Sequence, residues 1–428
     1  MSEEPADDAL LDDLQRAAFA YFLETINPRN GLIADTTRAG APSSIAVVGF
    51  ALSSYPVGVE RGWLARTDAV ERTLAALRFF TASDQSGSAE ATGHRGFYFH
   101  FLDMASGKRV WLSEVSLIDT AFLVAGVLTA AAYFDAATPD ETELRRLAEA
   151  LYARVDWCWA QPDGAAVMHG WKPECGFLHY GWEGYSEAIL LYLLGLGSPT
   201  HALTEASFPA WTETYQWENL YGIDHLYASP LFIHQYSHAW IDFRGIRDAF
   251  MREKDCDYFE NSRRATLVQR EYATRNPRGF AGYGADRWGL SAGDGPGAEP
   301  QVVAGRRQAF YGYAARGVPY GPDDGTIAGT ATLSSLVFAP DVVLPALRAM
   351  LARGAIGEAD LVRAGGFNAT VTGTGPDGWV SEGRFGLDQG MIVLMIENYR
   401  SGLPWRLGRG NRHLRTGLQR AGFRGGWL

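Results

Sequence analysis

The sequence predicts a mainly helical fold, with helices paired in two concentric layers around a pocket. Three observations predict it. Apolar residues recur at helical spacing in about twelve segments. Small-residue apolar segments alternate with amphipathic ones, as an inner buried set and an outer half-exposed set require. Strand signals are short and confined to connections, with no βαβ rhythm and no GxGxxG.

The elements follow in order. Residues 8–26 place Leu11, Leu14, Ala18, Phe22 and Leu23 on one stripe. Residues 43–54 are small and apolar all round, as in a buried helix. Residues 67–82 carry Val70, Leu74, Leu77 and Phe80, with Thr67 as N-cap. Residues 113–134 form the longest apolar stretch, opened by Ser113 as N-cap. Further helices are expected over 140–160, 184–196, 208–217, 236–251, 256–275, 300–315, 340–353 and 388–400. Short hairpins are expected at 97–103 with 109–112 and at 166–171 with 177–180. Long Gly-, Trp- and Pro-rich connections lie near 84–112, 161–184, 217–236, 276–300 and 365–388. Loops of that length in a compact domain are usually functional, and in a ring of helices they crowd one rim. No polar linker interrupts the chain, so residues 1–428 are expected to form a single domain.

Composition narrows the function. The formal net charge is −11, which opposes nucleic-acid binding. No apolar run reaches the roughly 18 residues of a membrane span. The acidic start MSEEPADDALLDDL lacks the features of an export signal, so the expectation is a cytoplasmic protein, or a periplasmic one if a signal has been removed. Three cysteines, Cys158, Cys175 and Cys256, build no disulfide framework and match no metal motif; buried free thiols are expected. Aromatic residues make up 13% of the chain, and many sit beside polar groups, as in GFYFHF and HQYSHAWIDF. Such rings suit flat, hydroxyl-rich ligands, which stack one face and hydrogen-bond at the edge.

Most acids lie on charge-rich amphipathic faces. Four stand out by their apolar or aromatic neighbours. Glu114 and Glu187 each follow a ring-rich loop and open an apolar helix, Glu187 with Ser186 as its cap. Asp119 lies inside the 113–134 stretch, as either an inner-wall hydrogen-bonding group or a substrate contact. Asp388 heads another apolar helix, as either an N-cap or a site residue. Parallel inner helices would bring these carboxylates to one rim, where repulsion and desolvation divide them into a protonated and an ionised set. Glycosidic cleavage needs that division. His234 and His238 are four apart; they read as sugar contacts or structural hydrogen-bonding groups, and no third ligand completes a metal site. Arg263 and Arg264 suggest one carboxylate pair and one substrate contact. Asp294 and Trp288 lie in a Gly-rich loop that is either a lid or a plain turn. Trp182, Tyr185, Tyr236, Trp240, Trp288 and Phe385 are candidate stacking surfaces. His234, His238, Arg264, Asp294 and Gln389 are candidate hydroxyl-binding groups.

The segments WLSEVSLIDTAFLVAG, GYSEAILLYLLGLGSPTH, PLFIHQYSHAWIDFRGIRD, DYFENSRRAT, WGLSAGDGP and LDQGMIVLMIENYRSGL, in this order over roughly residues 8–408, resemble the glycoamylase-like family that contains bacterial endo-β-1,2-glucanases, glycoside hydrolase family 144. Related domains occur in cyclic β-1,2-glucan synthases. The resemblance implies an all-α (α/α)6 toroid with short hairpins in its rim loops. It also implies hydrolysis of linear β-1,2-glucan or its oligosaccharides, by inversion, with no metal or organic cofactor. It places the family's two glutamates at Glu114 and Glu187; Ser186 stands where the family has Asn. A retaining β-1,2-glucosyltransferase and a non-catalytic glucan-binding protein are the alternatives it leaves open.

Overall fold

The computed structural model describes residues 4–162, 164–297, 299–303, 305–352, 366–371 and 378–428. It is rich in helix, with small antiparallel sheets in the connections. The chain runs through α1 (Glu4–Glu24), α2 (Ile45–Glu60), α3 (Arg66–Ala82), α4 (Leu117–Tyr133), α5 (Pro139–Arg154) and α6 (Ile189–Gly197). Longer helices then span Tyr258–Arg275, Pro340–Ala352 and Gly386–Arg400. No helix among the described residues is long and apolar enough to cross a membrane.

The alternation read from the sequence has a physical counterpart. Helices α2, α4, α6 and Gly386–Arg400 are buried along most of their length, while α3, α5 and Tyr258–Arg275 bury one stripe. The buried helices approach closely through glycine. A Cβ on Gly126 would lie 2.0 Å from the Gly49 carbonyl oxygen, and one on Gly390 would lie 2.4 Å from the Phe50 ring. Side chains of ordinary size at these points would push the helices apart.

Short strands tie the beginnings of these helices together. Ser43–Ser44, just before α2, pairs antiparallel with Phe101–Leu102. Val115–Ser116, just before α4, pairs with Tyr98–Phe99 on one side and Gly170–Trp171 on the other. The amide of Gly386 donates to the Asp35 carbonyl at 2.8 Å.

Several expected elements differ. The described residues of 300–315 are not helical: Gln301–Val303 pairs with Arg306–Gln308, and Gly305 between them takes φ +76°. Residues 236–251 do not form one helix. Two 3-10 turns, Leu231–His234 and Tyr236–Ala239, give way to an irregular stretch with Gly245 at φ +74°, and a short helix starts only after Asp248 caps it. Caps also shift. The residue before α3 is Ala65, not Thr67, and Ser116 rather than Ser113 caps α4, its Oγ accepting from the Asp119 amide. Helix α6 begins at Ile189, so Ser186 sits in the preceding turn. Cys158 and Cys175 are exposed; only Cys256 is buried. Leu403–Gly410 and Arg412–Arg420 add two helices beyond the expected set. Their apolar positions are few, and the close approach of Gly417 to the Leu193 carbonyl, 1.9 Å from a Cβ placed there, shows that backbone contact fixes them.

Replacing Gly126 by alanine is expected to destabilise the fold by about 1–3 kcal/mol, the range for overpacking a filled core. Gly410, with open space around it, serves as control. A thermal melt checks both: a lowered midpoint for Gly126→Ala and a near-native one for Gly410→Ala.

Candidate active site

Glu114 does not open α4 directly; it precedes the Val115–Ser116 strand. That strand and its neighbours aim it at His100. The His100 amide donates to the Glu114 carbonyl at 2.9 Å, and the Ile45 amide donates to the His100 carbonyl at 3.2 Å. Between these backbone anchors the imidazole reaches two carboxylates: Nδ1 lies 3.0 Å from Glu114 Oε1 and Nε2 3.5 Å from Asp119 Oδ2. Asp119 is fixed in turn by Ser116, whose Oγ donates to Oδ2 at 2.5 Å. Gly170 leaves the space that Glu114 fills, since a Cβ there would lie 2.8 Å from Glu114 Cγ.

Burial opposes charging of His100, but Asp119, Glu114 and Asp35 together outweigh it and raise its pKa to about 9. Burial pushes Glu114 up, yet the hydrogen bond and charge of His100, with help from Lys172, bring it net below the usual carboxylate range.

The remaining acids behave oppositely. Burial, assisted by the Asp119 charge, raises Glu187 to about 7. Burial and Asp35 raise Asp388 to about 7. Asp35 itself rises to about 6, chiefly by burial, with Asp119 adding to the effect and His100 and Arg38 opposing it. Asp388 lies in the first turn of Gly386–Arg400, but Phe385 is the residue preceding that helix, so Asp388 is not its N-cap.

Two tyrosines stand in the combined field. Tyr236, packed edge-on against Phe50, Phe122 and Phe232, is raised by burial and then by Asp388, Tyr313, Glu187 and Asp119. Tyr313 exposes most of its ring, yet burial of its hydroxyl end and the charges of Asp388, Asp35, Asp119 and Glu187 raise it. Its loop is held by Arg316. That guanidinium is buried on Asp324, with Nε to Oδ1 at 2.7 Å and a second nitrogen to Oδ2 at 2.8 Å, and it donates to the carbonyls of Gly293 and Gly312 at 3.0 Å each.

Other candidates divide between partly exposed loops and the core. Asp294 accepts from Ser381 Oγ at 2.8 Å and pairs with Arg38, whose guanidinium lies 5.2 Å from the Phe385 ring centroid. Asp294 thus ties together the connecting segments that carry Arg38 and Ser381. Trp182 stacks on His169 with centroids 4.0 Å apart, and Tyr185 packs beside His234 and Tyr258. Both keep part of their surface open.

Six other candidates are buried in the core or bonded to neighbouring protein groups. Trp288 is fully buried. Trp240 is buried, with Nε1 donating to Ser53 Oγ at 2.8 Å. His238 is buried against Ser262 Oγ at 3.0 Å, and burial, with His234 adding, depresses it to about 3. His234 is buried between Ala228 O and Asn261, and burial, with His225 adding, depresses it to about 3 as well. Both rings are thus neutral core groups. Arg264 lies at the partly exposed side of its helix, bonded to Glu260 at 2.9 Å and to the Asp224 carbonyl at 3.0 Å. Gln389 is buried, one residue beyond Asp388.

Three residues of the cluster escaped the sequence reading. His100 lies in the quoted GFYFHF run, where its rings drew attention and its titration did not. Asp35 stands in GLIADTT beside an apolar run, which is a usable signal. Tyr313 carries none, because only tertiary folding brings its loop over the acids.

Residues 179–412 match the glycoamylase family, whose description is "Putative glucoamylase". A solved structure described as a putative glucoamylase from Bacteroides uniformis is 30% identical, with a TM-score of 0.86, covering 100% of this chain and 99% of that one. The endo-β-1,2-glucanase of Chitinophaga pinensis, solved with sophorotriose and glucose, is 25% identical with a TM-score of 0.83 and full coverage of both chains. An exo-β-1,2-glucooligosaccharide sophorohydrolase of Parabacteroides distasonis is 28% identical over 97% of this chain; the chain spans 58% of that protein's length. A match over more than half the chain, together with a solved relative aligned along all of it, makes this protein a member of the glycoamylase family.

Proposed function

We propose that the chain is an inverting glycoside hydrolase acting on β-1,2-glucosidic bonds in linear β-1,2-glucan or its oligosaccharides. One observation carries the reading: Glu187 and Asp388 are each raised to about 7 within a cluster in which Glu114 and Asp119 face a cationic His100 and Asp35 rises to about 6. Cleavage requires one carboxyl group that still holds its proton and another that has lost it. Near neutral pH, Glu187 and Asp388 exchange between those forms. Glu114, paired with His100, stays ionised and serves as a hydroxyl acceptor that orients the sugar. Inversion requires the two reacting carboxyls to be about 6.5–9.5 Å apart, so that a water fits on the far face of the sugar.

The substrate class rests on the relatives, whose names specify β-1,2-glucan or its oligosaccharides. The partly open rings of Trp182, Tyr185, Tyr236 and Phe385 supply stacking surfaces for it. The contrast between fully buried and one-stripe helices supports an (α/α)6 toroid formed as a single domain over residues 1–428, with the acidic cluster at the rim where the inner helices begin.

Incubation with linear β-1,2-glucan, followed by chromatography and polarimetry, tests the proposal. Short oligomers with inverted anomeric configuration are expected. Redistributed chain lengths would point to a transferase, and unchanged substrate with retained affinity to a binding protein.

Glu187→Gln is expected to lower turnover by roughly 10²–10⁴-fold, the span of general acid–base catalysis, while leaving substrate affinity near native. Near-native turnover in this variant removes Glu187 from the mechanism. Glu114→Gln is likewise expected to lose most turnover, since it unpairs His100. The pH profile of kcat/KM gives an independent check. Asp119 raises Glu187 by charge repulsion, so removing that charge lowers the Glu187 pKa. In Asp119→Asn the limb near pH 7 is therefore expected to move to lower pH; an unmoved limb separates Asp119 from the proton donor.

A further inference from the structure

The turn over Val110–Ser113 is built against its own sequence. The Ser113 amide donates to the Val110 carbonyl at 3.1 Å, closing a four-residue turn. Its central residues, Trp111 and Leu112, take φ +57° and +51°. Tight hairpin turns with two positive φ values select Asn-Gly or Asp-Gly, because a Cβ is disfavoured there and a bulky side chain more so. Here two large apolar residues occupy both positions. They gain nothing by burial, since Trp111 is 69% and Leu112 68% exposed. Strain kept at a bulky, exposed residue points to a task other than folding.

The turn is also held in place. Arg109 Nε donates to the Ser113 carbonyl at 2.5 Å, and the same guanidinium grips Glu174 at 2.6 and 3.1 Å while lying over the Phe99 ring. The Val110 amide donates to the Phe101 carbonyl at 3.1 Å. A line of rings then runs inward. Trp111 lies 5.1 Å from Phe101, and Phe101 stacks on His100 at 4.0 Å with planes 10° apart. The ring centre of Trp111 is therefore within about 9 Å of the imidazole that bonds Glu114.

We propose that Trp111, with Leu112 beside it, is a stacking platform for a glucose unit of the bound chain that lies beyond the bond being cleaved. An exposed indole on a fixed turn presents an apolar face to the C–H face of a sugar ring. Its distance from the Glu114–His100 pair places it past the reacting unit on the same chain. Oligosaccharides too short to reach it gain nothing from it. This inference rests on the proposed action on β-1,2-glucan.

The test uses long linear β-1,2-glucan and sophorotriose as probes, with the wild type, Trp111→Ala, Trp111→Phe and the double variant Trp111→Asn/Leu112→Gly. The double variant carries the residues that the turn prefers, so its melting temperature is expected to equal or exceed that of the wild type. Its affinity for the long glucan, by calorimetry and as KM, is expected to weaken by roughly 3–10-fold, as is that of Trp111→Ala, with kcat unchanged. Sophorotriose kinetics are expected to stay native in all variants, and Trp111→Phe to keep most of the long-chain affinity. Native long-chain affinity in both Trp111→Ala and the double variant overturns the platform. An equal loss for both substrates overturns it too, because that outcome is a general disturbance of the site. Should the wild type neither bind nor cleave β-1,2-glucan, the parent reading fails and this one with it.

Discussion

The imidazole of His100, held between Glu114 and Asp119, is a cation set among buried acids. Five carboxylates crowded into a partly apolar space cannot all ionise. The His100 cation favours the charged form of Glu114 and opposes the rise of Asp35. Glu187 and Asp388 rise to about 7 through their own burial, with the charges of Asp119 and Asp35 respectively adding to it. The arrangement depends on backbone more than on side-chain packing. His100 is positioned by amide contacts to the strand before α4 and to the start of α2, so the strands that join the helix beginnings also align the charges.

Much of this was legible in the sequence. Helix periods, the inner and outer alternation, and the candidacy of Glu114, Asp119, Glu187 and Asp388 follow from apolar patterning around isolated acids. What stayed hidden depends on long-range contact. Trp240, Trp288, His234 and His238 looked like ligand groups because their neighbours in sequence are polar, whereas their neighbours in space are aromatic rings and hydroxyls of the core. Residues 301–315 contain no proline, and only the pairing on either side of Gly305 makes a hairpin of their first half. The cap of α4 lies three residues beyond the expected one, at Ser116 instead of Ser113, because a short strand intervenes between loop and helix. A two-residue strand leaves too little alternation to register as a period.

Glycine plays two separate parts in the architecture. At Gly49, Gly126 and Gly417 the missing Cβ sets how near two backbones come, and at Gly390 it admits the Phe50 side chain. At Gly245 and Gly305 it permits a left-handed turn that ends a regular element. The first kind fixes the spacing of the buried helices. The second kind decides which segments become connections. Neither part can be told from the other by composition, although both are decided at single positions.

The buried Arg316–Asp324 pair has one further consequence. Its guanidinium gathers carbonyls from two separated stretches of the loop that carries Tyr313, and the carboxylate opposite is equally cut off from water. Pulling either stretch away strands a charge in a low-dielectric interior, at a cost of several kcal/mol. Partial fraying is therefore uphill at every stage. A loop that would otherwise breathe residue by residue is converted into a single cooperative latch, so hydrogen exchange of its amides should follow one common opening rate.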